Sequence, residues 1–141
     1  MAMIARVYRE GEGLSDVELV RRLARVGVVG HGRGTSNLGL HDMARHLKLK
    51  SADWNGEATF WMARQIGLGH YVVAGGNPYV LPPHPTLARF GNHFIVVDGM
   101  DEAGNFLMKN PWPDGVHVVP PKQMWQFLIT NRHPHQYAFW R

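Results

Sequence analysis

A chain of 141 residues, 45% hydrophobic and 18% charged, has the common size of one globular domain and enough apolar mass for a core. Its longest uncharged apolar runs, such as residues 94–97, fall far short of the roughly 20 residues a membrane-spanning helix needs, which predicts a soluble chain. Net charge is +4 and the isoelectric point is near 9.8. The basic side chains (Arg21, Arg22, Arg25, Lys48, Lys50, Arg64, Arg89) are nevertheless scattered and accompany no RNA-binding aromatic motif. Solvated surface charge is therefore expected, with neither a nucleic-acid nor a membrane partner. Zero cysteines exclude disulfides, thiolate metal sites and a cysteine nucleophile within these residues and leave the compartment open. The opening Met1-Ala2-Met3-Ile4-Ala5-Arg6 lacks the ordered parts of an export signal.

Residues 1–9 place Met3, Ile4, Val7 and Tyr8 on one helical face, and Gly11 and Gly13 end the pattern. With no capping residue before it, this reads as the back of a helix whose start is missing. Ser15-Asp16-Val17-Glu18 is a capping box opening a helix to about Arg25, with an expected buried stripe of Val17, Val20, Leu23 and Ala24. Residues 27–34 form a glycine-rich connection. Thr35 or Ser36 caps a third helix whose predicted inner face is Leu38, Met43, Ala44 and Leu47, and residues 56–66 make a fourth with Phe60, Trp61 and Ile66 inward. Most of the five tryptophans sit at core-facing spacings.

The period then changes to that of strands. Residues 70–74 form a strand, and residues 75–91, with four prolines, form a loop over a cleft. Residues 92–99 are the clearest strand, and Asp101-Glu102-Ala103-Gly104-Asn105 turns into another over 106–109. A strand over 116–119, a helix from Pro121 through Ile129 and a closing strand over 136–140 complete the pattern. Helices first and sheet second predict an α+β architecture, N-terminal helices packed on a C-terminal antiparallel sheet in one domain over 1–141.

Antiparallel pairing brings His93, opening one strand, and Asn110, after the next, to one sheet edge. An imidazole whose second nitrogen is held by a carboxamide is a base fixed in tautomer and orientation, as needed to deprotonate a thiol. The order Gly34-Thr35-Ser36, then Gly91-Asn92-His93-Phe94-Ile95-Val96-Val97-Asp98-Gly99, then Asn110-Pro111-Trp112 resembles papain-like cysteine peptidases. The similarity is to the bacterial double-glycine leader-peptidase type and to related effector proteases of plant pathogens, over almost the whole chain. The resemblance implies His93 as general base and Asn110 as its orienter, in place of the more usual aspartate. Gly91, Asn92 and Trp112 would line a cleft for a peptide or protein substrate. An inhibitory or immunity-type protein is a further expected partner. Aligning Met3-Ile4 with the family's first helix puts the missing cysteine about five residues before Met1 and the oxyanion glutamine further upstream. A pseudo-peptidase that only binds peptides is the alternative.

His93 also reads as an ordinary edge histidine, and Asn110 before Pro111 as a turn former. No metal or cofactor is expected. His41 and His46, five residues apart, fall about 140° apart on a helix, unlike the four-residue spacing of zinc helices. His133 and His135 read as surface residues. Thr35 and Ser36 are accounted for by capping, and residues 30–34 lack the ending of a phosphate-binding loop.

Overall fold

The computed structural model describes residues 1–9, 12–27, 36–81, 93–109, 116–129 and 134–141. In chain order these form α1 (Ala2–Val7), α2 (Asp16–Val26), α3 (Asn37–His46), β1 (Lys50–Asn55), α4 (Thr59–Gly67), β2 (Tyr71–Gly76), a 3-10 turn (Pro78–Val80), β3 (His93–Met100), β4 (Phe106–Lys109), β5 (Val116–Val119), α5 (Pro121–Ile129) and β6 (His135–Trp140). The strands make one six-stranded sheet in the order β1-β6-β2-β3-β4-β5, and the β2–β3, β3–β4 and β4–β5 pairs are antiparallel. The architecture is α+β. No helix among the described residues is long and apolar enough to cross a membrane.

Two compact units emerge, residues 1–51 with 139–141, and residues 52–138. The first holds α1, α2 and α3. Ser15 closes the capping box on α2: its hydroxyl accepts from the Glu18 amide at 3.3 Å, and its own amide donates to Glu18 Oε2 at 2.8 Å. The Ser15 hydroxyl also donates to Glu18 Oε2 at 2.6 Å, and this bond first, then the one from the Ser15 amide, holds the Glu18 carboxyl below the usual carboxylate range. Ser15→Ala is expected to cost about 1 kcal/mol at neutral pH. A carboxylate with a depressed folded pKa stabilises above its unfolded pKa and loses that contribution as pH falls through the folded value. The gap between wild-type and Ser15→Ala melting temperatures should therefore narrow in acid, as thermal melts at pH 7 and pH 3 would register. Ser36 caps α3, accepting from the Gly39 amide at 3.1 Å.

Several faces differ from the expected ones. In α2 the buried residues are Leu19 and Leu23, while Val17 and Val20 are exposed. The helix carries two adjoining apolar stripes, and the one with the larger leucines removes more area from water. In α3, Leu40 replaces the exposed Leu38 beside buried Met43, Ala44 and Leu47. α4 begins at Thr59 rather than at residue 56, so Met62 enters the core, Trp61 and Ile66 pack partly against it, and Phe60 stays outside. Trp54 and Trp125 are also exposed rather than core-facing. β1 is a strand that the sequence pattern did not announce.

Described residues of the second unit form an apolar core. Val72 and Ala74 of β2, Ile95 and Val97 of β3, Phe106 and Met108 of β4 and Val119 of β5 meet Met62 of α4 and Met124, Phe127 and Leu128 of α5. Alternation along each strand aims these residues at the two helices. Pro121 starts α5 at the first helical position, where its missing amide costs nothing. The β3–β4 turn is tied by Asp101, whose carboxylate accepts from the Asn105 amide at 2.8 Å and from its side chain at 2.9 Å. The basic excess of the sequence belongs to the first unit: its residues carry ten basic and five acidic side chains, against five and six in residues 52–138.

Candidate functional site

His93 is the first residue of β3, half-buried, opposite Gly76 of β2. Strand alternation aligns it with Ile95 and Val97, on the face where α5 lies, and the next residue, Phe94, turns to the other face. Two glycines fix this start. A Cβ on Gly76 would stand 2.3 Å from the Phe127 carbonyl oxygen and 2.7 Å from its ring, so α5 closes onto the bare backbone of β2. The Phe127 carbonyl also accepts from the Asn77 amide at 3.0 Å. On the opposite face a Cβ on Gly75 would stand 2.9 Å from the Phe94 ring. That ring makes an edge contact with Tyr137 of β6, centroids 6.3 Å apart. Glycine at 75 and 76 thus lets an aromatic side chain close over each face of β2 where it pairs with the first two residues of β3. Both lie beyond residue 74, where the apolar strand pattern of the sequence ends.

β4 runs antiparallel beside β3, with Lys109 opposite Val96. The register shifts between Val97 and Gly99, leaving Asp98 as a bulge residue. Its carboxylate, mostly buried, pairs with the Lys109 ammonium, an ion pair that ties the last residue of β4 to β3. Asn110 follows directly, outside the described residues, as do Gly91, Asn92 and Trp112. Among the expected site residues the structure therefore places His93 and the strand that leads to Asn110. Neither the Asp98–Lys109 pair nor the two glycines was singled out from sequence. The consecutive glycines after an apolar run were the available signal for a close backbone approach.

Behind Phe94, the His135 ring stacks on Tyr137 at 5.3 Å between centroids. Burial, and then the Asp53 carboxylate, push the Tyr137 phenol well above its ordinary pKa. The neighbouring Gln136 is fully buried on the opposite face. Its Nε2 donates to the carbonyls of Gly56 at 2.8 Å and Ala58 at 3.2 Å, and its Oε1 has no hydrogen-bond partner. Away from this region, His41 Nδ1 lies 2.8 Å from Ser51 Oγ, and His70 Nδ1 lies 2.8 Å from Gln65 Oε1, with burial lowering the His70 pKa. The described residues contain no group of three side chains arranged to hold a metal ion.

No protein-family model matches the sequence, and neither does any curated protein. Among solved structures the chain is similar to the peptidase domain of Streptococcus ComA, a bifunctional ABC transporter involved in a quorum-sensing pathway. The TM-score is 0.63 at 16% identity, over 99% of this chain and 84% of that one. It is also similar to a C39-like peptidase from Bacillus anthracis, with a TM-score of 0.56 at 16% identity over 77% of this chain and 60% of that one. The chain thus shares the α+β fold of these peptidase domains.

Proposed function

We propose that this chain is the histidine-bearing part of a papain-like thiol peptidase or related amide hydrolase. His93 acts as general base, Asn110 orients it, and Gly91, Asn92 and Trp112 border the bound peptide. The observation that carries the reading is the position of His93 at the head of β3, antiparallel to the strand that runs into Asn110, within the fold shared with those peptidase domains. A thiolate is the nucleophile such a base serves, and with no cysteine in 141 residues the nucleophile has to be supplied from outside them. In the reaction His93 takes the thiol proton, the thiolate attacks the amide carbonyl, and the imidazolium returns the proton to the leaving amine. Water then cleaves the thioester.

The test uses the natural protein with about 30 further residues upstream of Met1. An in-frame cysteine there, alkylated by iodoacetamide at neutral pH, is expected. His93→Ala should then lower amide turnover by about 10²–10⁴-fold. Absence of the cysteine, or turnover that survives His93→Ala, sinks the hydrolase reading. The lack of any cysteine favours a second reading, a pseudo-peptidase that holds an extended peptide or an inhibitory protein in the old cleft. That version expects peptide-array binding that persists in His93→Ala and weakens in Trp112→Ala. Lack of any ligand at ~100 μM would count against it.

A further inference from the structure

The Asp98–Lys109 ion pair stands where the register of the β3–β4 ladder changes. Before the break Val96 pairs with Lys109 and Val97 with Met108, and beyond it Gly99 pairs with Leu107 and Met100 with Phe106. β3 thus carries one residue more than β4 across the break, and that residue is Asp98. The extra residue changes faces. His93 falls by alternation on the side of buried Ile95 and Val97, and after the bulge it is Met100 that packs against the same core. Strict alternation back from Met100, with no bulge between, would put His93 on the opposite face, because a slip of one residue turns every side chain over.

On β4 the alternation is unbroken: Phe106 and Met108 are buried in the core, while Leu107 and Lys109 are partly exposed. This strand is only 4 residues long, so few backbone bonds fix its register. The ion pair supplies a further constraint. The Asp98 side chain reaches across the break to the last residue of β4, and sliding either strand by one residue would part the two ions. With the Asp98 side chain 15% exposed and that of Lys109 40%, water screens their attraction only in part.

We propose that Asp98 and Lys109 are positioning residues for the His93–Asn110 pair. Their ion pair locks the bulge, and the bulge gives His93 the side of the sheet that the period of β4, carried one residue past Lys109, assigns to position 110. The inference rests on the pairing of His93 with Asn110 put forward above. The two charges take no part in proton transfer. They act through the carboxamide that holds the imidazole in one tautomer.

The test is long-range proton–nitrogen NMR of the His93 ring in the full chain at about pH 8, where an ordinary imidazole is neutral, reading the ratio of its two tautomers. One tautomer is expected to dominate in the wild type. Asn110→Ala should lower the ratio about threefold to tenfold, the effect of losing one hydrogen bond. Asp98→Asn and Lys109→Met should each lower it by a comparable factor, and Lys109→Arg should preserve it, since a guanidinium also pairs with the carboxylate. Asp42→Asn, which breaks the exposed Asp42–Arg45 pair of α3, should leave it unchanged. In an Asn110→Ala background Asp98→Asn should shift the ratio no further, whereas a general loosening of β3 would still move it. Thermal melts identify the variants that fold. Asp98→Asn keeps the side chain's shape and leaves no carboxylate unpaired, so it carries the test if Lys109→Met does not fold. The proposal is overturned if Asn110→Ala shifts the ratio and Asp98→Asn does not, or if Asp98→Asn shifts it further once Asn110 is gone. The His93–Asn110 pairing survives both of those results. If Asn110→Ala itself leaves the ratio unchanged, the pairing falls and this inference with it.

Discussion

Phe127→Ala is expected to lower stability by about 3–5 kcal/mol, the range for removing a fully buried aromatic side chain from a packed core. Phe127 is fully buried in the cluster that α5 makes with β2, β3 and β4. The companion substitution Gly76→Ala inserts a methyl where the Phe127 carbonyl oxygen would be 2.3 Å away and the ring 2.7 Å away. It should cost about 1–3 kcal/mol by forcing α5 outward. The two costs should be less than additive, because deleting the ring removes one clash. They should not cancel, because the carbonyl is backbone and remains. Urea denaturation of the wild type, both single variants and the double variant measures the coupling. A fully additive cycle would show that the Phe127 ring takes no part in the clash at Gly76. Gly76 is also the pairing partner of His93. The same Gly76→Ala variant should therefore disturb the His93 ring resonances in NMR, while a distant cap change such as Ser15→Ala leaves them in place.

The contrast between Gly76 and β1 indicates where the sequence was legible. Signals that are local in the chain were readable. Pro121 and the apolar spacing gave α5 to its last residue, the Ser15–Glu18 box opened α2, and the turn between Asp101 and Asn105 joined β3 to β4. The α+β class followed from the change of period, and the order of motifs led to His93 at the head of a strand. Features made by tertiary contact were not readable. β1, Lys50–Asn55, has only Trp54 as a strong strand former, and it lies in the sheet because β6 pairs with it. Leu23, Trp61 and Ile66 were read correctly, but Val17, Val20 and Phe60 were expected inside and are exposed, because each helix offers more apolar positions than its neighbours cover. Periodicity alone does not say which of Leu19 or Val17, Met62 or Phe60, goes inside. Gly75 and Gly76 looked like the start of a loop, whereas their function is to admit Phe94 and Phe127. Asn110 was legible only as a position in a motif, next to a strand whose end is tied down by Asp98 and Lys109.

Gln136→Glu should be the most pH-sensitive substitution in the chain. Gln136 is fully buried, and its Nε2 donates to two backbone carbonyls at the turn before α4. A carboxylate of the same shape would turn two attractions into oxygen–oxygen repulsions and would be desolvated besides. Both effects raise the folded-state pKa of the new glutamic acid above its unfolded value near 4.3. A raised folded pKa leaves the folded protein holding a proton that the unfolded chain has released. Stability of the variant relative to wild type then falls by about 1.4 kcal/mol for each pH unit from the unfolded pKa up to the folded one. At pH 4 the protonated acid still has one hydroxyl to donate to Gly56 or Ala58, and the loss should be modest, about 1 kcal/mol for the second bond. At pH 7 the loss should reach about 3–5 kcal/mol, the cost of an unpaired buried charge. Gln136→Met, which cannot ionise, should lose its two hydrogen bonds to the same extent at both pH values. Parallel urea midpoints at pH 4 and pH 7 separate the two behaviours. If the pH dependence of Gln136→Glu matched that of Gln136→Met, water would have to reach the carboxylate, and Gln136 would not be what pins the turn beneath Trp54.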